Sequence, residues 1–184
     1  MGVQGLWQLV KLSAVVHDSL GALALKDGYA DKPAARGYRV GIDASIWLHT
    51  AQNTFAVGHT QSGLNLELRL LFYCLACLLA LPINPVFVFD GPNRPRRKRG
   101  TNVVPVPHWL VSLFEEMLSA FGFHKHVAPG EAKAELAVMN ALGIINAILM
   151  EDSDALAFGA FTVVRRSFSS RNQNLNEITV YTSG

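Results

Sequence analysis

The sequence has few charged residues, few cysteines and no long apolar run, and each shortage excludes a class of protein. Charged residues make up 16% of the 184 residues and hydrophobic residues 50%, which is far more apolar material than a disordered chain contains. Two cysteines are too few for a disulfide scaffold. The longest apolar run, Leu70–Leu81, stops at Pro82, whereas a membrane-spanning helix needs about 20 residues. We therefore predict a soluble intracellular protein with reduced thiols.

Motifs of several enzyme classes are missing as well. The sequence has no dinucleotide-binding glycine motif, no P-loop, no nucleophile elbow and no paired-histidine zinc motif. Cys74 and Cys77 have the spacing of a redox pair, but they lie in an apolar stretch and are interpreted as small core residues. The net charge is only +2, so any surface that binds nucleic acid must be local.

Alternating strand and helix patterns predict an α/β fold. Continuous apolar runs rich in Val, Ile and Phe are typical of strands that are buried on both faces of a parallel sheet. These runs are Tyr38–Asp43, Pro85–Asp90, Ala147–Met150 and Thr162–Arg165. The helical patterns between or before them are Leu64–Leu81, Trp109–Phe121 and Glu131–Leu142. We expect a mostly parallel central sheet with helices on both faces.

Acidic side chains follow three of the predicted strands. The carboxyl ends of parallel strands meet at one edge of a sheet, so these acids are expected to lie together. A helix that leads to the third of these strands begins with another acid. The acids concerned are Asp43, Asp90, Glu131, Glu151, Asp152 and Asp154. Such a group repels itself unless a cation neutralises it, and hard divalent ions such as Mg²⁺ prefer oxygen ligands. Two such ions can stabilise both oxygens in a phosphodiester displacement.

A proline-rich and strongly basic segment, Gly91–Pro107, begins directly after Asp90. Within it, five of six consecutive residues are basic, with no acid among them. These residues are Arg94, Arg96, Arg97, Lys98 and Arg99. The composition predicts an exposed loop. A cationic strip beside an acidic metal site can hold the phosphate backbone while the metal site cuts it.

Each of these features also has a purely structural interpretation. An isolated Asp43 is typical of a turn or helix cap. Glu131 is a favourable charge in the first turn of a helix, and Asp152 and Asp154 are compatible with an Asx turn. The basic segment could be a solvated face or a nuclear-import signal. Their joint occurrence favours the metal site.

Five segments, in this order along the chain, resemble the XPG/flap-endonuclease superfamily of structure-specific DNA nucleases. They are MGVQGLW at the start, VGIDASIWLH around Asp43, VFVFDG at Asp90, APGEAKAE around Glu131 and EDSDALAFGA around Asp152. The resemblance implies a PIN-like three-layer core and two Mg²⁺ or Mn²⁺ ions. It also implies hydrolysis of branched or flapped DNA in repair or recombination, without a small-molecule cofactor, and a nuclear location.

The resemblance further implies roles for individual residues. It places Gly2 close to the site, and Arg97 and Lys98 near the scissile phosphate, within the basic run Arg94–Arg99 that we predict to bind nucleic acid. The acids that fall on the family's metal ligands are Asp43, Asp90, Glu131, Asp152 and Asp154, with Glu135 as a further candidate. Residues 1–184 are expected to form one nuclease core, with the XPG N-terminal region at about 1–100 and the internal region at about 120–170.

Three departures from the family pattern stand out. The usual Glu-x-Glu after Pro-Gly is Glu131-Ala132-Lys133 here, so that a cation replaces a metal-facing acid and would compete with a metal ion. Only forty residues separate Asp90 from Glu131, which is similar to the short-arch branch that includes Holliday-junction resolvases. The family's downstream helix-hairpin-helix module is missing, so the chain is expected to be a fragment of a longer protein.

The sequence is compatible with three functions. The first is a metal-dependent, structure-specific DNA endonuclease. The second is a nuclease-like DNA-binding module in which Lys133 has impaired catalysis. The third is a PIN-type ribonuclease, whose chemistry uses the same acids. Sequence reasoning ranks them in that order.

Overall fold

The computed structural model describes residues 6–10, 14–17, 19–29, 37–55, 65–94, 97–98, 101–102, 109–166, 175 and 177–182. Within these ranges the chain forms seven helices and nine strands. The helices are α1 (Leu6–Val10), α2 (Leu20–Tyr29), α3 (Ala44–Phe55), α4 (Leu66–Leu79), α5 (Val111–Ala120), α6 (Ala132–Ala141) and α7 (Asp154–Ala157). The strands are β1 (Ala14–His17), β2 (Tyr38–Asp43), β3 (Ile83–Phe89), β4 (Arg97–Lys98), β5 (Thr101–Asn102), β6 (His124–Val127), β7 (Ala147–Leu149), β8 (Thr162–Arg166) and β9 (Ile178–Thr182). None of the described helices is long and apolar enough to cross a lipid bilayer.

Seven of the strands form one central sheet in the order β1-β9-β8-β7-β2-β3-β6. The five neighbours from β8 to β6 are parallel, whereas β9 runs antiparallel to both β8 and β1. The remaining two strands, β4 and β5, pair with each other as a short hairpin. The α/β class and the mostly parallel sheet predicted from the sequence are confirmed.

Helices cover both faces of the sheet and make three layers. Alternate side chains of a strand point to opposite faces, so neighbouring residues of β3 pack in different clusters. Phe87 is fully buried on the side of α2–α5, where Trp47 and Phe114 meet it edge to face at centroid distances of 5.3 and 5.5 Å. Val88 is fully buried on the opposite side, with α6 and α7. The prediction of helices on both faces is therefore confirmed.

The three predicted helices exist, but each is shorter than its sequence pattern. The residues that end a helical pattern often cap the helix without joining it. Glu131 is one example, because its backbone is extended (φ −79°, ψ 133°) and α6 begins only at the next residue. Gly122 and Gly143 follow α5 and α6 with φ values of +72° and +69°, a conformation that favours glycine and stops the helix.

Some elements were not predicted from the sequence. Helices α2 and α3 are among them, although α2 buries Leu20, Leu23 and Ala24 at the three- and four-residue spacing of an amphipathic helix. The basic segment, predicted as a loop, contains the hairpin of β4 and β5. His124 and His126 lie in β6, the last strand at one end of the sheet.

Candidate active site

Asp43 and Asp90 lie at the same edge of the sheet because β2 and β3 are parallel neighbours. Asp43 is the last residue of β2, and Asp90 follows the last residue of β3. Ser45, in the first turn of α3, joins the two carboxylates. Its backbone N–H donates to Asp43 Oδ1 at 2.9 Å, and its hydroxyl donates to Asp90 Oδ2 at 3.1 Å. The two predicted site residues are therefore held together by a third.

Asp43 is a buried carboxylic acid whose ionisation is unfavourable. Only 4% of the residue is exposed. Burial raises its pKa from 3.8 to about 6 and the Asp90 carboxylate adds to this rise, while Lys133 and the backbone N–H groups of Ser45 and Ile46 oppose it. A group with this environment is stabilised by a nearby cation, because both desolvation and the like charge disfavour its anion.

Replacing Asp43 by asparagine should stabilise the metal-free protein at neutral pH. A raised pKa means that the folded state binds more protons than the unfolded state, so stability falls as pH rises from about 4 to about 6. Asparagine keeps the acceptor for Ser45 N–H but has no such penalty. We expect a gain of about 1–3 kcal/mol at pH 7–8 and almost none below pH 4. Urea unfolding in EDTA across this pH range measures it, and a pH-independent difference would contradict it.

Asp90 also connects the sheet edge to the start of α6. Its Oδ1 accepts the backbone N–H of Ala132, the first residue of α6, at 2.9 Å. The chain after Asp90 is attached to the segment before α6 by two backbone hydrogen bonds, Gly91 N–H to Gly130 O at 2.7 Å and Asn93 N–H to Pro129 O at 3.1 Å. These contacts bring the amino end of α6, where backbone N–H groups favour negative charge, to the acidic edge.

Glu131 lies at the N-cap position of α6, directly before Ala132. Its side chain makes no capping hydrogen bond to the helix. The sequence interpretation of Glu131 as a charge inside the first helical turn is therefore wrong by one position. The residue instead ends the segment that docks beside Asp90.

Gly91 allows this close docking, and we expect Gly91→Ala to destabilise the protein by about 3 kcal/mol or more. A Cβ atom there would overlap the carbonyl oxygen of Ala128 and lie 2.8 Å from its carbon and 2.9 Å from the carbon of Pro129. These are backbone atoms, so the segment before α6 would have to move. Gly130→Ala is the matched control, because its Cβ would lie 3.7 Å from the nearest atom. Denaturant unfolding should separate the two variants, and equal midpoints would refute this expectation.

Lys133 reaches the acids that follow β7. Its Nζ lies 2.6 Å from Asp152 Oδ2 and 3.2 Å from Asp154 Oδ2. Burial would lower the pKa of Lys133, but the hydrogen bonds and charges of these two aspartates outweigh burial and raise the pKa above its ordinary value. The lysine is therefore an ammonium ion at neutral pH, paired with two carboxylates that are each less than a tenth exposed.

These residues fit a divalent ion in one half of the edge and not in the other. Ser45 holds the carboxyl groups of Asp43 and Asp90 close together, and their negative charges repel each other. Their oxygen atoms are suitable ligands for a divalent cation, which would relieve this repulsion. Asp152 and Asp154 already share the Lys133 ammonium, although Asp152 Oδ1 is buried without a hydrogen-bond partner. Among the residues that the structure describes, no three His, Cys, Asp or Glu side chains are arranged to hold one metal ion.

Two other acids of the site region contact basic side chains. Glu135, the further candidate ligand, pairs through Oε1 with His126 Nε2 on β6 at 2.9 Å. Glu151 pairs with Arg166 Nε at 2.6 Å, and Arg165 Nε lies 4.0 Å from its other oxygen. Both carboxylates are thus directed to neighbouring basic groups.

The predicted DNA-binding residues are only partly within the described structure. Arg94 Nη1 lies 3.4 Å from Asp90 Oδ2, so the first residue of the basic run contacts the acidic edge. Arg97 and Lys98 form β4, and nothing is described of their side chains. Gly2, Arg96 and Arg99 lie outside the described residues.

Sequence reasoning missed Ser45, which is the link between Asp43 and Asp90. A signal was present, because a serine two residues after a strand-terminal aspartate is typical of a turn in which the carboxylate accepts the serine N–H. The pairing of its hydroxyl with Asp90 depends on the neighbouring strand and has no local signal.

Comparison with known families agrees with this geometry. The XPG N-terminal domain matches residues 1–103, more than half of the chain, and the XPG I-region matches residues 122–183. The chain belongs to the XPG family. The family resemblance inferred from the five segments is confirmed.

Curated relatives of this XPG chain are nucleases. It is 30% identical over 169 residues to the probable flap endonuclease 1 homolog of Danio rerio, and this alignment covers 82% of this chain and 48% of the relative. It is 28% identical over 185 residues to the flap endonuclease GEN homolog 1 of Mus musculus, covering 90% of this chain and 18% of the relative. The chain thus spans half or less of these relatives' length.

Solved XPG nucleases share its fold. The Holliday junction-resolving enzyme GEN1, in complex with product DNA and Mg²⁺, superimposes with a TM-score of 0.71 at 31% identity over 98% of this chain and 40% of that one. The catalytic core of Rad2 in complex with DNA substrate gives a TM-score of 0.72 at 30% identity over 98% and 54%. The expectation of a junction-resolvase-like nuclease fold is borne out by these neighbours.

Proposed function

We propose that this XPG-family chain is the core of a structure-specific DNA endonuclease that acts on branched or flapped DNA in nuclear repair or recombination. The observation that carries the proposal is the joining of Asp43, Asp90 and the amino end of α6 at one edge of a parallel sheet. This edge supplies carboxylate oxygens, and a basic segment leaves it directly after Asp90.

Each group at this edge has a chemical task in phosphodiester hydrolysis. Asp43 and Asp90 would hold a divalent ion, which would supply Lewis-acid polarisation of a phosphoryl oxygen, and Glu131 directly precedes the helix residue that Asp90 contacts. Asp90 and the Ala132 N–H fix the position of α6. Arg94, already next to Asp90, is placed to meet a phosphate that approaches the edge.

The DNA substrate class is supported by the structural neighbours and by charge. GEN1 and Rad2 were solved with DNA on this same fold. The basic run Arg94–Arg99 concentrates positive charge beside the acids, although the whole chain carries only +2. Because the chain is nearly neutral as a whole, its attraction to DNA would come from contacts of this local cationic strip with the phosphate backbone and not from its net charge.

Cleavage of labelled DNA tests the proposal. A 5′-flap, a four-way junction, a linear duplex and a single-stranded RNA are incubated with the chain in Mg²⁺, Mn²⁺ or EDTA, and products are resolved on denaturing gels. We expect divalent-dependent cuts near the branch points and none in the linear duplex. An equal rate in EDTA, or a preference for single-stranded RNA over branched DNA, would contradict the proposal.

A second candidate function is favoured by the Lys133 pairing with Asp152 and Asp154. If that ammonium disables the edge, the chain binds branched DNA without cutting it. Binding of the same junctions with no product in any metal would select this alternative over the first.

Both candidates share one expectation about the basic run. Changing Arg96, Arg97, Lys98 and Arg99 together to alanine should weaken junction binding and flatten its salt dependence. For every phosphate that the variant no longer neutralises, the slope of log K against log salt should become shallower by about 0.9. Fluorescence anisotropy at several salt concentrations measures the slope. Lys26→Ala, an exposed lysine on α2, is the control, and an unchanged slope in the fourfold variant would remove the basic run from the interface.

A further inference from the structure

We propose that the Lys133 ammonium is an internal cation that occupies the Asp152–Asp154 half of the acidic edge and keeps a divalent ion out of it. The inference deepens the proposed function, since it concerns the ion content of the same site. It rests on contacts within the chain and is tested by metal binding, so it does not depend on cleavage.

The contacts show one cation shared by two carboxylates. Lys133 Nζ lies 2.6 Å from Asp152 Oδ2 and 3.2 Å from Asp154 Oδ2, both within charge-assisted hydrogen-bond reach. A Mg²⁺ ion binds carboxylate oxygens at about 2.0–2.1 Å. It would compete with the ammonium for the same oxygens and would be repelled by its charge.

The position of Lys133 in α6 indicates that these acids, and not the helix, favour a lysine there. It is the second residue of α6, in the turn where the helix dipole disfavours cations. The Lys133 side chain is only 15% exposed, so it also loses hydration. The attraction of the two carboxylates offsets both costs. This attraction is weakly screened by solvent because Asp152 and Asp154 are themselves almost completely buried.

The contacts of Lys133 with Asp152 and Asp154 also connect the start of α6 to the segment after β7. Lys133 belongs to α6, whereas Asp152 follows β7 and Asp154 begins α7. Without the ammonium, the two buried carboxylates would lose the cation that they share, and Asp152 Oδ1 already lacks a hydrogen-bond partner. Removing the lysine charge should therefore create a demand for an external cation at this point.

Metal binding without DNA tests the inference. Isothermal titration with Mn²⁺ and metal analysis after dialysis are applied to wild type, Lys133→Glu, Lys133→Gln and Lys26→Glu. We expect Lys133→Glu to bind one more ion per chain than wild type. We expect Lys133→Gln to bind Mn²⁺ at Asp152 and Asp154 at least about tenfold more tightly than wild type, which is equivalent to roughly 1.4 kcal/mol. Lys26→Glu makes the same charge change at an exposed position of α2 and should behave as wild type.

Thermal unfolding supplies an independent readout. In EDTA we expect both Lys133 variants to melt several degrees below wild type, and Mg²⁺ to restore them more than it shifts wild type, because ligand binding to the folded state stabilises it. Binding of two ions by wild type, or equal ion numbers in wild type and both folded Lys133 variants, would overturn the inference. Failure of wild type to cut DNA would contradict the proposed endonuclease and leave these ion counts as they are.

Discussion

Asp90→Asn should lower divalent-dependent cleavage of branched DNA by a factor on the order of 10²–10³, the usual effect of removing one preorganised electrostatic group from an active site. Asp90 connects the first turn of α3 to the start of α6. Its Oδ2 accepts the Ser45 hydroxyl at 3.1 Å and its Oδ1 accepts the Ala132 N–H at 2.9 Å. Asparagine has nearly the same shape, its amide oxygen can accept the Ala132 N–H, and the Ser45 hydroxyl can rotate to accept from its NH2 group. The variant therefore removes the negative charge with little change to these contacts.

Matched measurements separate chemistry from binding in this variant. Cleavage of the flap and junction substrates is compared with their binding in EDTA, where no cutting occurs. Glu116→Gln, an exposed acid on α5, removes the same charge away from the sheet edge and should cut as wild type. If Asp90→Asn binds and cuts at the wild-type rate, the acidic edge is not where hydrolysis takes place.

The central part of the fold was predictable because its signals are local. Tyr38–Asp43 is a mostly apolar run, and the structure buries five of its six residues, as expected for a strand inside a parallel sheet. Once β2, β3 and β7 are parallel, the acids that follow them must meet at one edge. Asp43, Asp90 and Asp152 could therefore be grouped from sequence alone.

The remaining features depend on contacts between distant segments. β1 pairs with β9, which joins the two ends of the described chain, and no local pattern specifies such a partner. The hydrogen bond from Gly91 N–H to Gly130 O forms only because the segment after β3 and the segment before α6 lie close together in the fold. Glu135 looked available as a ligand on its helix, yet His126 of an adjacent strand pairs with it. Side-chain partners of this kind follow from tertiary packing, which periodicity does not encode.

Lys133 shows how a sequence departure acquires a physical meaning from the structure. The sequence indicates only that a cation stands in an acidic motif. The structure shows which acids it neutralises, namely Asp152 and Asp154, while Asp43 and Asp90 are joined through Ser45. The edge thus divides into a half whose two acids share the buried Lys133 ammonium and a half in which Arg94 lies 3.4 Å from Asp90 Oδ2. Cleavage should respond to this division.

Lys133→Glu should accelerate divalent-dependent cleavage of the four-way junction and the 5′ flap by at least about tenfold, which corresponds to roughly 1.4 kcal/mol of transition-state stabilisation. The substitution exchanges the ammonium for a carboxylate beside Asp152 and Asp154, so that a second external ion can enter and share the charge of the displaced oxygens. Lys133→Gln removes the competing cation without adding a ligand and should give a smaller gain. Rates are measured under single-turnover conditions across a Mg²⁺ series, with Lys26→Glu as the charge control.

The rate of Lys133→Glu also decides between the two candidate functions. A wild type that cuts slowly and a variant that cuts faster identify an endonuclease that works with one external ion and an internal lysine. Cleavage by the variant alone identifies a DNA-binding core whose catalytic edge is intact apart from one side chain. If the variant takes up an extra ion and still cuts no faster than wild type, then the Asp152–Asp154 half does not contribute to hydrolysis. The chemistry must in that case be confined to Asp43, Asp90 and Glu131.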